Sequence, residues 1–144
     1  MGAAYFIVVN SQDPGFDTTV DGKALSRHAR QIDAIAIKLG FKSLDEHCSQ
    51  SPDDARLQMA DLMGIEDEFD LPADAEETLK NMPPEEWYDA SHGLDYANKV
   101  ADHIRQNPTS VKDPDAVLYD LDTMITVLTE AASRGLQWHL QVDF

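Results

Sequence analysis

The 144-residue chain predicts an α+β domain, and three features of the sequence carry that reading. An apolar, β-branched run, "AAYFIVVN", occupies residues 3 to 10. At the other end "LQWHLQVDF" alternates strictly, with Leu136, Trp138, Leu140, Val142 and Phe144 set against Gln137, His139, Gln141 and Asp143. Between them lie only helical periodicities. A strand, a run of helices and a closing strand imply terminal strands paired in one small sheet, with helices packed on one face. Two strands alone make a marginal sheet, so either a third short strand is expected near Phe41 to Leu44 or two chains pair their sheets as a homodimer.

The first strand is apolar on both faces, Tyr5, Ile7 and Val9 on one and Phe6 and Val8 on the other, as in a strand inside a sheet or between layers. "SQDPGFDTTVDG" then supplies turn chemistry. A helix is expected from Lys23 to Leu39, where Leu25, Ala29, Ile32, Ala36 and Leu39 repeat at intervals of four and three, Ile35 widens the stripe and Gly40 follows. In "SPDDARLQMADLMG", Ser51 is the N-cap, Pro52 takes the first helical position, Asp54 sits at the acidic capping-box position and Gly64 closes the helix.

Residues 65 to 86 are acidic and Pro-interrupted, with a short helix expected over Ala75 to Asn81. A helix from Leu94 to Gln106 follows, its buried row being Leu94, Ala97, Ala101 and Ile104. In "DPDAVLYDLDTMITVLTEAASRG", Asp113 caps, Pro114 opens, Gly135 stops, and Val117, Leu121, Ile125, Leu128 and Ala132 form the core stripe. No repeat, low-complexity tract or linker divides the chain, so residues 1–144 read as one domain.

Composition narrows the function classes. Eleven Lys and Arg against 27 Asp and Glu give a formal charge of −16. Such a field repels nucleic acid and anionic membrane surfaces and steers encounter with a basic protein. No apolar stretch approaches the ~20 residues that span a bilayer. "MGAAYFIVVN" lacks the basic region of a signal peptide and the Ser or Thr of a myristoylation signal. One cysteine, Cys48, fits a reducing compartment, and a cytoplasmic location is expected.

Phosphate-loop, dinucleotide, zinc-protease, nucleophile-elbow, CxxC and EF-hand patterns are all absent, so no catalytic residue, metal or cofactor is assigned. Two surfaces remain. Glu66, Asp67, Glu68 and Asp70 lie in a stretch from Asp61 to Glu77 with eight carboxylates and no base. Their spacing does not fit a calcium loop and Leu71-Pro72 interrupts it, which leaves a solvated acidic loop or a contact surface for a basic partner. The alternative is a ligand site in "EEWYDASHGLDYANKVADH", where Trp87, Tyr88, Asp89 and His92 supply two aromatic rings, a carboxylate and an imidazole. The structural account of the same residues is a cap at Asp89 or Ser91, an incidental His92 and a Trp87 that plugs the helix onto the core. Gly93 in the first turn fits neither account.

The other histidines carry little. His92 and His103 would lie about 16 Å apart along one helix, too far to share an ion. His28 borders an apolar stripe. His47 and Cys48 are adjacent in sequence with no second pair at zinc spacing. An acidic neighbourhood raises the Cys48 thiol away from nucleophilic use. On the closing strand, Gln137, His139, Gln141 and Asp143 read as a solvated face.

"DGKAL" at the first helix, "PPEEW" in the middle and "WHLQVDF" at the end resemble an uncharacterised family of small bacterial proteins over nearly the whole length. The resemblance implies a bacterial source and a single domain, and no activity or site residues. The sequence therefore points first to a non-enzymatic protein-binding module, in its sharper form an immunity protein that covers the basic site of a nuclease or similar effector. A small enzyme or ligand binder at Trp87 to His92 is the alternative.

Overall fold

The computed structural model describes residues 3–143 and has the α+β architecture expected. β1 (Ala4–Val9), the central β3 (Gln137–Asp143) and the two-residue β2 (Tyr88–Asp89) form an antiparallel sheet in the order β1-β3-β2. The register sets Val9 opposite Trp138, Ile7 opposite Leu140 and Val8 opposite His139. Phe144, the last apolar position of the expected strand, lies outside the described residues.

Two expectations about the sheet are corrected. The third strand is β2 rather than Phe41 to Leu44, which runs instead into a 3-10 turn at Asp45–His47. β1 is an edge strand, not an interior one: Tyr5, Ile7 and Val9 are buried while Phe6 and Val8 are only half-buried. The Tyr5 N–H donates to Gly22 O at 3.2 Å.

The chain divides into two compact units, one comprising Met1–Cys48 and Trp87–Phe144, the other Ser49–Glu86. In the first, the expected helix from Lys23 is bent at His28 into α1 (Lys23–Arg27) and α2 (Ala29–Lys38). The hydrogen-bond ladder still runs through the bend, from His28 N–H to Ala24 O and from Ile32 N–H to His28 O. Leu25, Ile32, Ile35 and Ala36 of the expected stripe are buried, whereas Leu39 is exposed.

α5 (Ala90–Gln106) begins four residues earlier than its apolar row suggests. α6 (Pro114–Ser133) is capped by Asp113, whose side chain accepts from the Ala116 N–H. Its buried face carries Val117, Leu121, Met124, Val127, Leu128 and Ala131, and among them the carboxylate of Asp120.

Asp120 has a specific task. α1 starts from Gly22, a residue with φ 68° and no side chain to cap the helix. Oδ2 of Asp120 supplies the missing acceptor, taking the Ala24 and Leu25 N–H groups at 3.0 and 3.3 Å. A helix end must find partners for its first donors, and here a neighbouring helix provides them.

The second unit holds α3 (Pro52–Met63) and α4 (Ala73–Lys80) around a small core of Ala55, Ala60, Leu71, Ala75 and Leu79. α3 has the ends expected: Ser51 Oγ accepts from Asp54 N–H and Gly64 closes the helix at φ 69°. A bidentate Arg56–Glu76 pair ties the two helices, one of its bonds being 2.9 Å. Asp67 caps a 3-10 turn at Glu68–Asp70 by accepting from the Phe69 N–H.

Candidate functional site

The four residues of the possible ligand site do not form one constellation. Trp87 precedes β2, and its ring and that of Tyr88 lie against the successive β3 residues His139 and Trp138, on opposite faces of the sheet. Trp87 lies on the ring of His139 with centroids 4.2 Å apart, on the sheet face of Val8. Tyr88 lies on the other face, opposite Trp138. Asp89 is exposed at the N-cap of α5 with no capping bond from its carboxylate, and its backbone carbonyl accepts from Trp138 Nε1 at 3.2 Å. The residue that plugs α5 onto the core is therefore Trp138, not Trp87.

Gly93 explains the helix start. It faces the Trp138 indole so closely that any side chain at this position would overlap the ring. The glycine that fits no pattern in the first turn is a close-approach glycine.

Tyr88 and His92 do belong to a cluster, and its centre, His47, carries no motif in the sequence. His47 is fully buried, stacked on Trp138 with centroids 5.4 Å apart and an interplanar angle of 22°. Tyr96, Tyr88 and His92 surround it at 5.1, 5.4 and 6.3 Å. His47 Nδ1 lies 2.8 Å from Ser43 O, a carbonyl that can only accept, so Nδ1 holds the proton and Nε2 the lone pair. Burial, with a smaller contribution from the Lys42 ammonium, holds its pKa below the usual imidazole value, and the ring is neutral near pH 7.

His47 Nε2 and the Tyr96 hydroxyl are both buried with no hydrogen-bond partner. Such atoms cost about 1–3 kcal/mol each when left unpaired. At the rim, Tyr88 donates its hydroxyl to Glu46 O at 2.9 Å, and Lys42 and Lys99 lie over the rings of Tyr88 and Phe41. Among the described residues no three His, Cys, Asp or Glu side chains converge as a metal ion would require.

Cys48 beside this cluster is no nucleophile. Burial first, and the Asp45 carboxylate second, push its thiol up to about 12. The acidic neighbour is legible from residue order alone; the larger cause, burial, needs the fold. His139, expected on a wetted face, is fully buried. It sits in the central strand between Val8 and the Trp87 ring, and its Nδ1 lies 3.2 Å from Leu140 O.

The acidic loop is placed differently. Glu66, Asp67 and Glu68 line an open groove of about 540 Å³ with Asp61, Leu57, Ala60 and Ile65. Asp70 falls in the adjoining 3-10 turn and does not line it. Large apolar side chains of the same unit stand in solvent: Leu57, Leu62, Met63 and Phe69, the last 73% exposed.

No protein family, no curated protein and no solved structure matches the chain. No helix among the described residues is long and apolar enough to cross a membrane.

Proposed function

We propose that the chain is a non-enzymatic protein-binding module of the bacterial cytoplasm that takes a basic partner on the unit Ser49–Glu86. The observation that supports this reading is the coincidence of acid and exposed apolar surface. Glu66, Asp67 and Glu68 rim a groove that Leu57, Ala60 and Ile65 line. Leu62, Met63 and Phe69 are exposed on the same helix and the adjoining turn. Carboxylates steer a basic protein toward the surface, and apolar side chains hold it there once water is excluded. In its sharper form the module is an immunity protein that covers the basic site of a nuclease or similar effector. The net field disfavours nucleic acid and anionic membranes as partners.

The test is capture of partners from native bacterial lysate on the tagged chain at low and high salt, identified by mass spectrometry. A stoichiometric basic protein that is released by salt is expected. It should be lost when Glu66, Asp67, Glu68 and Asp70 are all changed to Lys. Capture unaffected by that reversal ends the acidic-surface reading.

A second reading, a ligand site at His47, Tyr88, His92 and Tyr96, is favoured by the two unpartnered polar atoms of His47 and Tyr96. It predicts a ligand- or metal-induced melting shift that His92→Ala reduces; no shift with any ligand class removes it.

A further inference from the structure

A second groove, on the first unit, has the opposite character. Ser26, Arg27, His28, Ala29, Arg30, Gln31 and Lys112 line an open groove of about 370 Å³ at the bend between α1 and α2. Carboxylates outnumber Lys and Arg by more than two to one in the chain, yet this lining has three bases, a histidine and no acid.

The cations there are also unspent. Arg56, Lys99, Arg105 and Arg134 are each held by a carboxylate. Arg27, Arg30 and Lys112 make no ion pair among the described residues. The acids nearest them in sequence are engaged elsewhere: Asp33 Oδ1 accepts from Leu44 N–H at 2.9 Å, and Asp113 caps α6. The wall is fixed, because Gln31 Oε1 accepts the Lys112 N–H at 2.8 Å and so ties α2 to the segment before α6. Polar side chains of Ser26 and Gln31 complete a lining with donors on each side of the bend.

We propose that this groove binds a small phosphate-bearing molecule. Two guanidinium forks and an ammonium suit the several oxygens of a phosphate group, which accept paired hydrogen bonds. The volume is that of a small-molecule site. Size is decided by the rest of the protein. A polyanion such as nucleic acid would extend beyond the groove into the field of a chain with formal charge −16, whereas a small anion stays against the lining, which holds three bases and no acid. This inference does not depend on the acidic groove of the other unit.

The experiment is a titration of the full chain with inorganic phosphate and with a phosphomonoester at constant ionic strength, read by amide NMR shifts. Saturable shifts at residues 26–31 and 112 are expected. Affinity should fall about tenfold or more in Arg27→Gln/Arg30→Gln and clearly in Lys112→Gln, while Lys23→Gln, a base on the same helix outside the lining, leaves it unchanged. All these positions are exposed, so the variants should melt like the parent. The proposal is overturned if shifts do not saturate, if acetate or chloride produces the same shifts at the same concentration, or if a single-stranded oligonucleotide binds there while phosphate does not.

Discussion

Gly93 on α5 and Trp138 on β3 meet without room for a methyl group: a Cβ at 93 would stand 2.6 Å from Cζ2 of the indole. The ring cannot retreat, since it is fully buried, stacked on His47 and bonded through Nε1 to the Asp89 carbonyl. Gly93→Ala gains helix propensity of about 1 kcal/mol. Overpacking typically costs about 1–3 kcal/mol, and a rigid, two-sided contact belongs at the upper end. Net destabilisation of about 1 kcal/mol or more is therefore expected in urea unfolding, with an altered tryptophan emission. An Ala variant as stable as the parent would mean that the indole can move.

Gly22 faces a harder limit. Its φ of 68° is one that L side chains adopt only with strain, and a Cβ there would collide with the Tyr5 carbonyl oxygen. Gly22→Ala should cost more than about 2 kcal/mol, by strain and by loss of the bond from Tyr5 N–H to Gly22 O. Equilibrium unfolding measures it. An effect no larger than that of Gly40→Ala, where an added methyl group would meet no atom within 4 Å, would show that the edge of β1 yields.

These two glycines mark where the sequence is readable and where it is not. The ends of α3 and α6 follow from neighbours in the chain, Ser51-Pro52 with Gly64 and Asp113-Pro114 with Gly135, so local chemistry suffices. β2 is two residues long and exists only because β3 lies beside it, which no local pattern records. His47 likewise becomes the centre of a cluster only when the turn at Asp45–His47 meets Trp138. Asp120 is visible in principle: it lies three residues after Val117 and four before Met124, a carboxylate on an apolar face. The acidic loop is legible in sequence, but its exposed apolar companions Leu62 and Phe69 need the fold.

Asp120 and His47 give the chain opposite responses to pH. Burial raises the folded pKa of Asp120 above the ordinary 3.8, its bonds from Leu25 and Ala24 only partly offsetting this. The stability this group contributes is full below 3.8 and lost as pH rises through the folded pKa. Asp120→Asn keeps an acceptor for Ala24 and Leu25 but does not ionise. It should therefore gain on the parent in urea unfolding as pH rises above 3.8 and through the folded pKa. Relative loss over that range would contradict the burial argument.

His47 has its pKa depressed, again by burial first. Its contribution is full above 6.5 and lost as pH falls through the folded value. His47→Phe removes the titration and the unpartnered Nε2 while losing the bond to Ser43 O. The parent should lose stability faster than the variant on acidification below about pH 6.5, whatever their difference at neutrality. Parallel curves would place the native-state pKa of His47 at its ordinary value.

Cys48 offers a chemical test of the same packed region. Its thiol is raised from 9.0 to about 12, so at pH 8 the thiolate fraction falls by about three orders of magnitude. Alkylation needs the thiolate, and the fold also half-buries the side chain. Iodoacetamide should label the native chain at pH 8 on the order of a thousandfold more slowly than the chain in urea. The residual native rate should rise in variants that destabilise the fold, such as Gly22→Ala. Native labelling as fast as that in urea would show that the Cys48 segment opens on its own and that the thiol is not held in the apolar setting beside β3.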